Sequence, residues 1–182
     1  MIDSSCGADL LTVRSRWAER RIFTVLQTQF DAGRLFIDTW AAWRADPRRC
    51  ERLHFVAVTS LESLKSLEMP EAHAHEPALS KSLVDAWPLR VSGLHRLEFD
   101  DGRVVLTLAV GEMGSVLQKL WLRADAFYLR LSDADTKVAF IAKALARIAG
   151  DDATLCADAH PLLARALEDA GFISMKPRSP VM

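Results

Sequence analysis

Short runs of β-branched and aromatic residues alternate with helix-periodic segments along most of this chain, and that alternation limits the fold more than any other feature. Phe23 to Leu26 and Leu53 to Val58 are unbroken runs of the length and composition of strands buried on both faces. Between them Leu35, Phe36, Thr39, Trp40 and Trp43 recur at three- and four-residue spacing, a helical stripe that stops at Asp46-Pro47. Further helices are predicted over Leu61 to Leu67 and Glu76 to Trp87, separated by a polar, proline-bearing link at 70–75. His95 to Phe99 and Val104 to Val110 form a hairpin around Asp100-Asp101-Gly102, and Gly111 then opens a helix with Val116, Leu117 and Leu120 on its apolar side. The rest reads as strand Ala126 to Leu129, helix Asp135 to Ala149 capped by Gly150, strand Ala153 to Cys156, helix Pro161 to Ala170, and a short strand Phe172-Ile173. Strands alternating with helices predict a mostly parallel sheet covered on both faces.

At 182 residues, half of them apolar, the chain is expected to be one domain over 1–182 with a full core. Its formal charge of −1 supplies no global attraction to polyanions. Cys6, Cys50 and Cys156 are scattered and lack metal-ligand spacing, which points to a reducing compartment without disulfides or zinc. Neither a leader-like start nor a membrane-length apolar run is present, so a cytoplasmic, membrane-independent protein is expected.

In parallel sheets ligands settle beyond the carboxyl ends of the strands, so the loops after Leu26, Val58, Val110 and Leu129 are the places to look for chemistry. The first loop, Gln27 to Arg34, keeps one glycine, Gly33, where a nucleotide cradle wants several. The second offers Thr59-Ser60, with Glu62 a helical turn too late to hold a ribose. The third, Gly111-Glu112, could contact an adenine amino group, or the acid could favour a helix start. The fourth presents Arg130, the wrong charge for accepting a proton from an amine; Asp133 and Asp135 beyond it read as helix caps. Arg14, Arg16, Arg20 and Arg21, with Arg44, Arg48, Arg49 and Arg52 as possible additions, are candidate phosphate ligands for a nucleic acid. His73 and His75 suit a solvated loop better than a metal site, and His54 and His95 suit hydrogen-bonded positions within strands.

Several segments carry a family resemblance in order: Phe36-Ile37-x-Thr39-Trp40-Ala41-Ala42-Trp43-Arg44, Ala86-Trp87-Pro88, Gly93-Leu94-His95-Arg96-Leu97, Asp125-Ala126-Phe127-Tyr128-Leu129 and Ala170-Gly171-Phe172. Over roughly Trp17 to Lys176 the chain resembles the methyltransferase domain of the bifunctional bacterial proteins that complete 5-methylaminomethyl-2-thiouridine at the tRNA wobble position. The resemblance implies a Rossmann-like methyltransferase fold (whose last strand this chain could lack), S-adenosylmethionine as cofactor, tRNA as substrate, and a flavin-dependent oxidoreductase as companion.

The departures from the family fall at the site. Its glycine-rich, acid-led first motif is represented by Gln27, Gln29, Phe30, Asp31 and Gly33; its acid after the second strand is Thr59; its aspartate after the fourth is Arg130. Gly33, Gly111 and Glu112 remain as the vestige of a cofactor site. A degenerate member is therefore expected, without catalysis and without a bound cofactor, acting as a binding or scaffolding domain. Two other readings stand beside it: an active S-adenosylmethionine-dependent tRNA methyltransferase, and a tRNA-binding module.

Overall fold

A computed structural model describes residues 2–3, 16–66, 76–88, 90–131, 137–157 and 161–173. Its seven strands are β1 (Ile2–Asp3), β2 (Ile22–Thr28), β3 (Arg52–Thr59), β4 (Gly93–Phe99), β5 (Val104–Val110), β6 (Ala124–Leu129) and β7 (Ala149–Ala157). The helices are α1 (Arg34–Ala45), α2 (Leu61–Ser66), α3 (Pro77–Asp85), α4 (Met113–Lys119), α5 (Val138–Ile148) and α6 (Pro161–Asp169). The strands form one sheet in the order β1-β7-β6-β2-β3-β5-β4, parallel throughout except for the antiparallel hairpin β4–β5.

The expected doubly covered sheet is present, and each face has its own core. On one face α1, α2 and α3 bury an aromatic cluster built on Phe36, Trp40, Trp43, Phe55 and Phe99. On the other, α4, α5 and α6 bury an aliphatic one around Leu117, Ile141, Leu145, Ile148 and Leu167. The aromatic side is dense: the Trp40 and Phe99 ring centroids are 4.6 Å apart, and Phe36 meets Phe55 edge-on at 5.4 Å. His54 and His95 are hydrogen-bonded as expected, to the Thr107 hydroxyl at 3.0 Å and the Val91 carbonyl at 2.8 Å.

Two local expectations are corrected. Gly150 is not a helix cap. The chain passes from α5 straight into β7, with Ala149 at the junction, because pairing with β6 captures the backbone immediately. Gly150 instead lies close over the Ala124 carbonyl, 3.3 Å from where its Cβ would sit. Phe172-Ile173 is not a strand. The Phe172 N–H donates to the Leu167 carbonyl (2.9 Å) and that of Gly171, at φ +98°, to Glu168 (3.0 Å), which is the Schellman closure of α6. No strand follows β7 among the described residues, and the outer edge of β7 carries β1, which the sequence reading did not anticipate. Arg14, His73, His75, Asp133 and Asp135 lie outside the described residues.

The β4–β5 turn is tied to α1 by one carboxylate. Asp100, at φ +50°, accepts from Trp40 Nε1 at 2.7 Å and Arg44 Nε at 2.8 Å. Hydrogen bonding to the Arg44 guanidinium holds the Asp100 carboxyl below its ordinary value. A carboxyl depressed in the folded state contributes stability that is complete above its unfolded pKa, about 3.9, and is lost as pH falls. Asp100→Asn should therefore be less stable than the parent near neutrality and show a flatter loss of stability below about pH 4. Denaturant unfolding at a series of pH values checks this.

Candidate functional site

The tips of β2, β3, β5 and β6 converge on a cleft of about 480 Å³ lined by Gln29, Phe30, Asp31, Val58, Thr59, Ser60, Ser63, Gly111, Glu112, Met113 and Arg130. This is the crevice that the topology predicts. Of the three candidate cofactor residues, Gly111 and Glu112 line it and Gly33 does not.

The β2–α1 loop follows a glycine-type path with few glycines. Gln29 (φ +60°), Ala32 (φ +55°) and Gly33 (φ +88°) are all left-handed, a conformation that costs a residue with a side chain about 1–2 kcal/mol. The loop is held by the Gln29 N–H on the Val58 carbonyl (3.0 Å) and by Asp31, whose Oδ1 accepts from the Leu35 N–H (3.4 Å) and Gln27 Nε2 (3.3 Å). Phe30 is buried and stacks on Trp87 at 5.7 Å. Gly33 has a packing reason: a Cβ there would lie 2.6 Å from Leu83 Cδ2 and 3.2 Å from the Phe30 ring. Close approach of α1 to α3 explains the glycine.

The strand tips carry three neutral or cationic groups. Gln27, the residue before the last of β2, has its Oε1 buried and unpartnered among the described residues, and Thr59 ends β3 with its hydroxyl in the same condition. Buried polar atoms without partners are uncommon and draw in water or ligand. Arg130 follows β6; its backbone is clasped to β2, since the Thr28 hydroxyl donates to the Arg130 carbonyl (2.8 Å) and accepts from its N–H (2.9 Å). Sequence reading passed over Thr28, although a hydroxyl closing an apolar run was the available signal. Glu112 is the N-cap of α4: its carboxylate accepts from the N–H groups of Gly114 (3.1 Å) and Ser115 (2.7 Å). Hydrogen bonds from the Ser115 hydroxyl and from these backbone groups hold its carboxyl below the ordinary range.

The described arginine candidates, Arg16, Arg20 and Arg21, lie at the opposite, amino end of the sheet. Arg16 donates to the Asp125 carbonyl (2.8 Å) and the Thr154 hydroxyl (2.7 Å), and Arg20 pairs with Asp125 (2.7 Å), whose other oxygen takes the Thr24 N–H. These two staple the first segment to β2, β6 and β7. Arg21 is exposed and reaches Glu51 only at 3.8 Å. Among the described residues no group of His, Cys, Asp and Glu side chains could hold a metal ion, and no helix is long and apolar enough to cross a membrane.

Gly33→Ala should destabilise the fold by about 2 kcal/mol, through left-handed strain and the Leu83 contact together. Gln29→Gly should leave stability unchanged or raise it by up to about 1 kcal/mol, because the strain it relieves exceeds the added chain entropy. Thermal and denaturant unfolding of both variants distinguish the packing glycine from the strained loop.

Comparison with known proteins agrees with this architecture. The family described as S-adenosyl-L-methionine-dependent methyltransferase matches residues 74–133. The tRNA 5-methylaminomethyl-2-thiouridine biosynthesis bifunctional protein MnmC of Burkholderia ambifaria is 47% identical over 171 residues, 88% of this chain and 26% of that protein. The protein of the same name from Paraburkholderia phymatum is 49% identical over 170 residues, again 26% of its length. The chain thus spans about a quarter of the curated relatives it matches. The crystal structure of MnmC2 from Aquifex aeolicus superposes with a TM-score of 0.67 at 14% identity, over 91% of this chain and 50% of that one, which shows the shared fold. By fold this chain is a Rossmann-like methyltransferase domain, and by sequence it is a relative of the methyltransferase-domain-sized region of the bifunctional tRNA 5-methylaminomethyl-2-thiouridine biosynthesis proteins.

Proposed function

We propose that this chain is a methyltransferase-fold domain that binds or scaffolds rather than transfers methyl groups. One observation carries the reading: the crevice is lined by a hydroxyl (Thr59) at the end of β3 and a guanidinium (Arg130) just after β6, and the residue before the last of β2 is a buried amide (Gln27). None of these accepts a proton at neutral pH. Methylating an amine requires that its proton leave, and a positioned acceptor is the ordinary device. The two carboxylates that do line the cleft, Asp31 and Glu112, are turned to backbone N–H groups in the first turns of α1 and α4.

The same tips fit S-adenosylmethionine poorly. Its ribose diol is held best by a carboxylate accepting two charge-assisted hydrogen bonds, and Thr59 supplies one neutral hydroxyl. Its sulfonium and ammonium charges gain nothing from Arg130. The orphaned Thr59 hydroxyl nevertheless leaves hydrogen-bonding capacity in the cleft, which suits a neutral polar occupant or ordered water. By analogy with the relatives, the partners proposed for the domain are tRNA and a flavin-dependent oxidoreductase.

The test is transfer of labelled methyl from S-adenosylmethionine to tRNA lacking only the final methyl of 5-methylaminomethyl-2-thiouridine. The expected outcome is no incorporation above a protein-free control. Turnover that Arg130→Ala or Thr59→Val abolishes would refute the proposal.

A further inference from the structure

The amino edge of the sheet holds arginines that no carboxylate pairs with among the described residues. Arg16, Arg20, Arg44, Arg96 and Arg123 are all in ion pairs. Arg48, Arg49, Arg52 and Arg103 have no carboxylate within ion-pair distance among the described residues, and their polar contacts there are to backbone carbonyls or none. All four lie at the amino end of the strands, in the α1–β3 turn, at the start of β3 and just before β5. Arg49 and Arg103 stand 4.8 and 5.9 Å from the centroid of the same Trp43 ring. Arg52 and Arg103 head adjacent parallel strands, joined where the Leu53 N–H donates to the Arg103 carbonyl at 2.8 Å. Arg48 and Arg49 lie in the turn between α1 and β3, and Arg21 extends the row where the Arg52 N–H donates to its carbonyl.

The acids of this edge are mostly committed elsewhere. Asp46 takes the Trp17 indole and the Arg48 N–H, and Asp100 takes Trp40 and Arg44. Glu51 and Asp101 are exposed and lower the local field without pairing with these four. Like charges crowded without counter-charges repel one another, and a polyanion relieves that repulsion.

We propose that this edge, formed by Arg48, Arg49, Arg52 and Arg103, binds the phosphodiester backbone of a nucleic acid. Guanidinium groups grip phosphate with paired N–H donors, which favours this partner. A lipid surface would also need an inserted apolar face, and half-exposed Ile22 beside Arg52 is far less than that. The edge lies at the opposite end of the strands from the cleft. Eight residues of β3 separate the two, roughly 20–25 Å at strand rise. Binding here is therefore independent of whether the cleft holds a cofactor.

The test is fluorescence anisotropy of a labelled single-stranded uridine oligonucleotide with the intact protein across a salt series. Four phosphate contacts give a slope of log K against log salt of about −3 for a single strand. Arg48→Ala with Arg52→Ala should weaken binding and flatten that slope by about 1.4, whereas Arg123→Ala should leave it unchanged. Thermal melting keeps an unfolded variant from counting as a positive. No binding at low salt, a slope unaffected by the double variant, or binding to phosphatidylserine vesicles in place of the oligonucleotide would overturn the proposal.

Discussion

Every side chain of β2 from Phe23 to Thr28 is buried, so its backbone can be satisfied only by strands on both sides. β3 and β6 supply them, in register over Ile22 to Thr28 on one side and over Val25 to Gln27 on the other. That pairing fixes where the strands end and so which residues meet in the crevice. The Thr28 clasp on Arg130 is the last link of this constraint, and it holds a guanidinium next to the β2 loop. The stapling of Arg16 and Arg20 onto Asp125 closes the other end of the same strands.

The crevice lies where the parallel topology places it, and the loop that enters it is held in a glycine-type path. Gln29 and Ala32 adopt backbone conformations that glycine adopts without cost, and the surrounding structure holds them there. The loop is tied to β3 through the Gln29 N–H on the Val58 carbonyl and to α1 through the Asp31 carboxylate on the Leu35 N–H. Gly33 is the exception, because a Cβ there would meet the buried Leu83 Cδ2 at 2.6 Å and displace it. One glycine thus persists for packing, and the strand tips beside the loop carry Gln27, Thr59 and Arg130.

Much of this was legible in the residues. Continuous apolar runs located β2 and β3, and the tryptophan spacing located α1, because a doubly buried strand and an amphipathic helix leave different periods. The wrong assignments were those in which pairing or capping overrode composition. Gly150 resembles a cap until β6 captures the strand beside it, and Phe172 resembles a strand residue until Gly171 closes the helix. β1 was invisible because two residues carry no pattern. At the site, Gly111 and Glu112 line the crevice, whereas the packing role of Gly33 depends on Leu83, fifty residues away in sequence. The arginines separated only in three dimensions: Arg16 and Arg20 turn inward, and Arg48, Arg49, Arg52 and Arg103 do not.

The most direct test of the central claim is calorimetric titration of the intact protein with S-adenosylmethionine and S-adenosylhomocysteine. A crevice lined by Thr59 and Arg130, with no free carboxylate at the end of β3, should give no detectable heat up to millimolar ligand. Binding of either compound at micromolar strength, weakened by Thr59→Val or by substitution of Glu112, would contradict the claim and make the chain a working cofactor-binding methyltransferase domain.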